Sequence, residues 1–185
     1  IERAKDLIGK TAKLEFRFVN DEVGEAKLSE LVEKARAAGI VYKKGDRFSE
    51  WVEKLNTHVK ADLPANHSIY FSKEVSKVTN DITALVPYLL ENNADLTGEE
   101  LQEATVRIDQ QQNRPYVGLD FKTNGAKIFE EITGKNVGRR MAIVLDGNVY
   151  SAPVIQARIA GGSAMITLGM GDYNSQLTEA RDLAL

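Results

Sequence analysis

Cysteine is absent from this 185-residue sequence, and histidine occurs only twice. Without cysteine there is no disulfide and no thiolate metal site. His58 falls on an expected helix and His67 opens an expected strand. A metal centre would need carboxylates or further imidazoles converging on them, and the spacing offers none. No apolar run approaches the roughly 18–20 residues that a membrane span needs, and no charged leader with an apolar core opens the chain. The first residue is Ile1 rather than methionine, so the sequence reads as an excised soluble piece of something longer. Positive charge is not in excess either: 24 Lys and Arg stand against 27 Asp and Glu, intermixed, for a net charge of −3. A nucleic-acid surface needs a concentrated basic face, so that class is set aside.

Catalytic patterns are missing too. Gly161-Gly162 and Gly169-Met170-Gly171 are followed by no phosphate cradle with a lysine and a hydroxyl. No serine sits in a nucleophile elbow. Glu99-Glu100 and Glu130-Glu131 are neighbours that point about 100° apart on a helix, so each pair reads as a solvated face. The expectation is a protein without catalytic, cofactor or metal residues.

What is present is a pattern of strands and helices. Leu14, Phe16 and Phe18 alternate with Lys13, Glu15 and Arg17 over residues 12–19, which predicts a strand with one buried and one wet face. Residues 25–38 carry Leu28, Leu31, Val32 and Ala35 at helical spacing, closed by Gly39. Ser49 caps a second helix bearing Val52, Leu55 and Val59. Ile69 and Phe71 suggest a strand. Ile82, Leu85, Val86 and Leu89 fit helical spacing, with Pro87 opening a shorter helix. Strand signals return at Val106 and Ile108, at Val117, Leu119 and Phe121, at Met141, Ile143 and Leu145, and over 165–168. Asn124 caps a helix with Ile128, Phe129 and Ile132 inward. Asp146-Gly147 is a two-residue hairpin turn, and Pro153 confines the returning strand to an edge or bulge. Short helices are expected at 2–8 and after Ser175.

Three stretches carry a family resemblance. They are Thr11-Ala12-Lys13-Leu14-Glu15-Phe16-Arg17; Thr97-Gly98-Glu99-Glu100-Leu101-Gln102-Glu103-Ala104; and Val117 to Pro153, continued by Ile159-Ala160-Gly161-Gly162 and Met165-Ile166-Thr167. In this order they resemble the first periplasmic domain of SecD, a membrane subunit of bacterial protein export. After Thr167 the family's glycine-phenylalanine turn is replaced by 168–174, which bears on the local turn only.

The resemblance implies an α+β fold: a ferredoxin-like base over 1–20 and 104–185, carrying an inserted, mainly helical head over 21–103. It implies a non-enzymatic role on the periplasmic side of the bacterial inner membrane. There the domain would capture a translocating preprotein beside SecF and a SecY-type channel, coupled to the proton gradient through membrane parts outside this chain. Trp51, Tyr70 and Tyr88 are the candidate polypeptide contacts, being aromatic residues of the middle block. Asn20 and Gln102 are the candidate hinge positions where the insert joins. The alternatives are a docking domain for other translocon subunits and a small α+β hydrolase built on Asp146 or a glutamate with a histidine.

Overall fold

The computed structural model describes residues 13–76 and 82–167. The helices expected at 2–8 and after Ser175, and the turn at 168–174, lie outside that range. The chain is α+β, and it divides into two compact units. One comprises 14–95 and 138–155; the other comprises 1–13, 96–137 and 156–185. This division differs from the expected one. The strand at 14–18 and the hairpin at 141–151 belong with the 21–95 segment, not with 104–137.

In the first unit, β1 (Leu14–Phe18), β7 (Met141–Leu145) and β8 (Asn148–Ser151) are successive antiparallel neighbours in one sheet. β7 and β8 are joined by Asp146 (φ 48°) and Gly147 (φ 80°), the pair of positive values that a two-residue hairpin turn needs. β8 is an edge strand that ends before Pro153, as the proline requires. A second hairpin pairs β2 (His67–Val75) with β3 (Ile82–Glu91). Two helices, α1 (Glu25–Ala37) and α2 (Phe48–Val59), complete the unit.

The β2–β3 hairpin is buried on both faces, and this explains a failed expectation. Ile69, Phe71 and Leu89 point to one core with Leu28, Leu31, Ala35, Trp51, Leu55 and Val59. Leu90, with Tyr70 and Tyr88, points to a second core with Val19, Ala142, Val144 and Val149. A strand covered on both sides loses its polar alternation and reads as a continuous apolar run. That is why 82–91 mimics helical spacing and is nonetheless strand. Pro87 is tolerated because it faces Phe71 in a position where no ladder donor is needed. The carbonyl of its alternate neighbour Leu89 points away from β2, to the Asn20 N–H at 2.9 Å.

β1 corrects a second expectation. Glu15 and Arg17 are buried along with Leu14, Phe16 and Phe18. The supposed wet face is covered, and its charges are paired internally. Arg17 donates to the Glu91 carbonyl at 3.0 Å and to that of Asn92, and pairs with the Glu15 carboxylate at 3.2 Å. The guanidinium also lies 5.4 Å from the Tyr70 ring centroid.

In the second unit, which also holds the two-residue strand β4 (Leu96–Thr97), β5 (Leu101–Asp109), β6 (Arg114–Phe121) and β9 (Ser163–Thr167) form an antiparallel sheet in that order. α3 (Thr123–Lys135) packs its Phe129 against Phe121 with ring centroids 4.7 Å apart. The buried positions of α3 are Gly125, Phe129 and Thr133; of the expected stripe Phe129 is buried, while Ile128 and Ile132 are only half-buried. The helix begins before Asn124, with Lys122 at its cap. α2 likewise begins at Phe48, ahead of Ser49, with Arg47 at its cap.

Candidate functional site

The first unit carries a groove of about 890 Å³, within the range of pre-formed ligand sites. One wall is the outward half of α1, with Val32, Glu33 and Arg36. The other is the start of β3, including Leu85. Its floor is aromatic. Trp51 lies 5.2 Å from Phe71 and 5.3 Å from Phe48, and Tyr42 lies 5.4 Å from Phe48 and 5.8 Å from Trp51. Edge and tilted ring contacts of this kind are favourable beyond the area they bury.

The segment between the helices is held onto this floor. The Trp51 indole N–H donates to the Ile40 carbonyl at 3.3 Å, and the Lys43 N–H to the Asp46 carboxylate at 3.0 Å. Val41 is 42% exposed at the groove's rim, an apolar residue facing water. The rim charges are of both signs, Glu33 and Asp46 against Arg36 and Lys44.

A second groove of about 840 Å³ runs between α2 and β2. It is more polar in character. The Asn56 carboxamide there holds the Ile69 backbone on both sides, accepting its N–H at 2.6 Å and donating to its carbonyl at 2.8 Å. Lys73 places its ammonium 4.5 Å from the Phe48 ring centroid, and burial holds it below the usual lysine range.

The residues singled out from sequence do not converge. Trp51 sits in the floor of the first groove, 8% exposed. Tyr70 and Tyr88 face each other across the hairpin, in register, on its opposite side. There Arg17 covers Tyr70, and Arg140 lies 5.6 Å from the Tyr88 centroid. Asn20 is tied by its N–H to Leu89 and by its side-chain oxygen to the Glu22 N–H at 3.0 Å. Gln102 lies at the register shift of β5, between Leu101 and Glu103. Tyr42, Phe48, Ile40 and Leu85 were not singled out, although the spacing of Tyr42, Phe48 and Trp51 is the signal that could have found them. His58 is exposed on α2, and the Nδ1 of His67 lies 2.8 Å from the Ala65 carbonyl. Among the described residues no group of histidines and carboxylates could hold a metal.

Comparison with known proteins places the chain. The family model for the SecDF P1 head subdomain matches residues 73–185. SecD of Calditerrivibrio nitroreducens is 42% identical over 184 residues, covering 100% of this chain. The chain belongs to the SecD family. It spans only 29% of that relative's length. SecDF of Thermus thermophilus is 50% identical over 90 residues, 49% of this chain. Among solved structures, a SecDF described as a membrane component that enhances protein export aligns with a TM-score of 0.52 and 31% identity. That alignment covers 97% of this chain and 64% of the other. A SecDF in its super-membrane-facing form also aligns at 0.52 and 31%, over 95% of this chain and 19% of that one. The relatives are protein translocase subunits. Within the SecD family match, the part called the head extends over residues expected to be base, since only 73–103 of the matched span falls in the predicted insert. No helix among the described residues of this SecD-family chain is long and apolar enough to cross a membrane.

Proposed function

We propose that this chain is the periplasmic, non-enzymatic part of a SecD-type translocase subunit. It captures extended segments of a preprotein emerging from a SecY-type channel, working with SecF. The work of release is drawn from the proton gradient by membrane parts outside this chain. The second unit, with its three-stranded sheet and α3, serves as part of a ferredoxin-like base.

One observation carries this reading: the aromatic-floored groove between α1 and β3. Its floor is aromatic, its rim charges balance, and an exposed valine stands at its mouth. Capture of many unrelated segments asks for apolar contact without a specific charge pattern. Enzymatic readings find no comparable support, because among the described residues neither histidine is brought to a group of carboxylates.

Trp51 is the only tryptophan in the chain, so its fluorescence reports on the groove floor. Titration with an unfolded, reduced polypeptide is expected to shift Trp51 emission saturably. Val41→Glu, at an exposed rim position, is expected to weaken that binding about fivefold or more while leaving the circular dichroism unchanged. An emission spectrum indifferent to unfolded polypeptide would remove the groove from the account.

A further inference from the structure

Five charged side chains of the first unit gather where the chain leaves and re-enters it. Glu15 and Arg17 come from β1, and Glu91 ends β3. Asp95 is the last residue before the chain passes to the other unit, and Arg139 follows its return at Gly138. Three carboxylates thus stand with two guanidiniums, and the pairing is uneven. Arg17 holds Glu15 at 3.2 Å, and Arg139 holds Glu91 at 3.0 Å. Arg17 is committed further to the Glu91 and Asn92 carbonyls, and Arg139 lies over the Phe18 ring at 4.5 Å. Asp95 is left over: among the described residues its Oδ2 is buried without a hydrogen-bond partner.

A carboxyl with no donor, in a poorly solvated place beside another carboxylate, favours its neutral form. Burial and Glu91 act on Asp95 in that sense, while Arg139 and Arg17 oppose them. From β2, His67 stands opposite Glu91, with its Nδ1 2.8 Å from the Ala65 carbonyl and its Nε2 3.4 Å from the Asn20 carboxamide nitrogen.

The backbone sets what this proton can govern. The Asp95 N–H donates to the Phe16 carbonyl at 3.0 Å, and the Asn92 N–H to the Asn66 carbonyl at 2.8 Å. The Asn92 side chain accepts the Ser68 hydroxyl at 2.6 Å. Residues 92–95 are therefore seated on β1 and on the turn before β2, and the bond at Asp95 is the last before the crossing. We propose that Asp95 is a proton-operated latch: with its carboxyl neutral the 92–95 segment stays seated on β1, and release of that proton to solvent loosens the seat. Seating is complete below the raised value of Asp95 and weakens as pH rises through it. The inference rests on this cluster alone and is independent of the aromatic groove.

Amide hydrogen exchange of the 185-residue chain, corrected for the intrinsic effect of pH, reads the latch directly. From about pH 4 to about pH 8, protection of the Asp95 N–H is expected to fall about tenfold relative to that of Ile40. The Ile40 N–H, held by the Ala35 carbonyl at 3.0 Å, lies at the groove and serves as the reference. Asp95→Asn is expected to keep its protection nearly constant over that range, whereas a fall arising at His67 would persist in this variant. Glu91→Gln removes the repelling carboxylate, so the midpoint of the fall is expected to move to lower pH. Constant protection of Asp95 in the parent chain overturns the inference. So does an equal fall in Asp95→Asn, or a midpoint indifferent to Glu91→Gln.

Discussion

Arg17 shows how much one buried charge organises. Its guanidinium binds the Glu15 carboxylate and the Glu91 and Asn92 carbonyls, and so ties β1 to the end of β3. Both charged side chains are about nine-tenths buried. Removing one member of such a pair leaves the other charge short of a donor in a poorly solvated place. Arg17→Ala is therefore expected to lower stability by about 3 kcal/mol, read from the urea midpoint at constant slope.

Asp95 behaves in the opposite sense. Its Oδ2 is buried with no hydrogen-bond partner. Burial first, and then the Glu91 carboxylate, raises its pKa, against the opposing pull of Arg139 and Arg17. The folded chain thus holds this proton at a pH where the unfolded chain has released it. Stability contributed by Asp95 is present below the ordinary carboxylate range and is lost as pH rises through the elevated value. Asp95→Asn is expected to flatten that fall. At pH 7 it should stabilise the protein by on the order of 1 kcal/mol, the low end for an unsatisfied acceptor because the residue is only partly buried. Thermal unfolding at pH 4 and pH 7 measures both effects, and a variant less stable than the parent at pH 7 would refute the argument.

At the scale of elements, α3 offers a paired test. A Cβ on Gly125 would lie 2.7 Å from the Glu100 Cβ and 2.9 Å from the Glu100 carbonyl oxygen. The backbone cannot yield there, because that carbonyl also accepts the Lys122 N–H at 2.8 Å. Alanine gains about 1 kcal/mol of helix propensity over glycine, but overpacking against fixed backbone costs about 1–3 kcal/mol. Gly125→Ala is expected to destabilise on balance. Gly134, in the same helix, is exposed, and its new Cβ would meet only the flexible shaft of Arg158 at 3.3 Å. Gly134→Ala is expected to stabilise by about 0.5–1 kcal/mol. Equal signs for the two substitutions, measured by thermal melts, would contradict the packing described.

Elements were legible where their exposure is one-sided. α1 has a single buried stripe, and it stands within one residue of its predicted limits. Asp146-Gly147 turned as its residue types demand. β3 was not legible, because a strand covered on both faces carries no period-2 signal. The wet face assigned to β1 failed for a related reason: Glu15 and Arg17 satisfy each other and nearby carbonyls inside the fold, which a pattern of polar letters does not reveal. The groove was half-legible. Trp51 was found as an aromatic residue flanking an apolar stripe. Tyr70 and Tyr88 were grouped with it by nearness in sequence, yet strand alternation sends them to the other side of the hairpin.

For the whole molecule, family membership was carried by the three signature stretches, each of which now has a structural reason. Leu14 to Arg17 supply β1 and its buried ion pair. Glu100, at the end of Thr97–Glu100, meets the start of α3 at Gly125. Gly162 accepts the Phe121 N–H at 2.8 Å beside Ala126. The first strand does pair beyond residue 104, as expected, through β1 and β7; what was not legible is that both belong with 14–95. Residue patterns fix the character of a strand but not its neighbours.

The central claim is that the groove between α1 and β3 touches the passenger polypeptide. The most direct measurement is site-specific photo-crosslinking in the full-length translocase subunit during export. A photoreactive residue is placed at Val41, on the groove's rim, or at Met165, on the outer face of the other unit's sheet. The account expects crosslinks from position 41 to the preprotein in transit and none above background from position 165. Labelling of the passenger from 165 alone, or of other translocon subunits alone from 41, would contradict it.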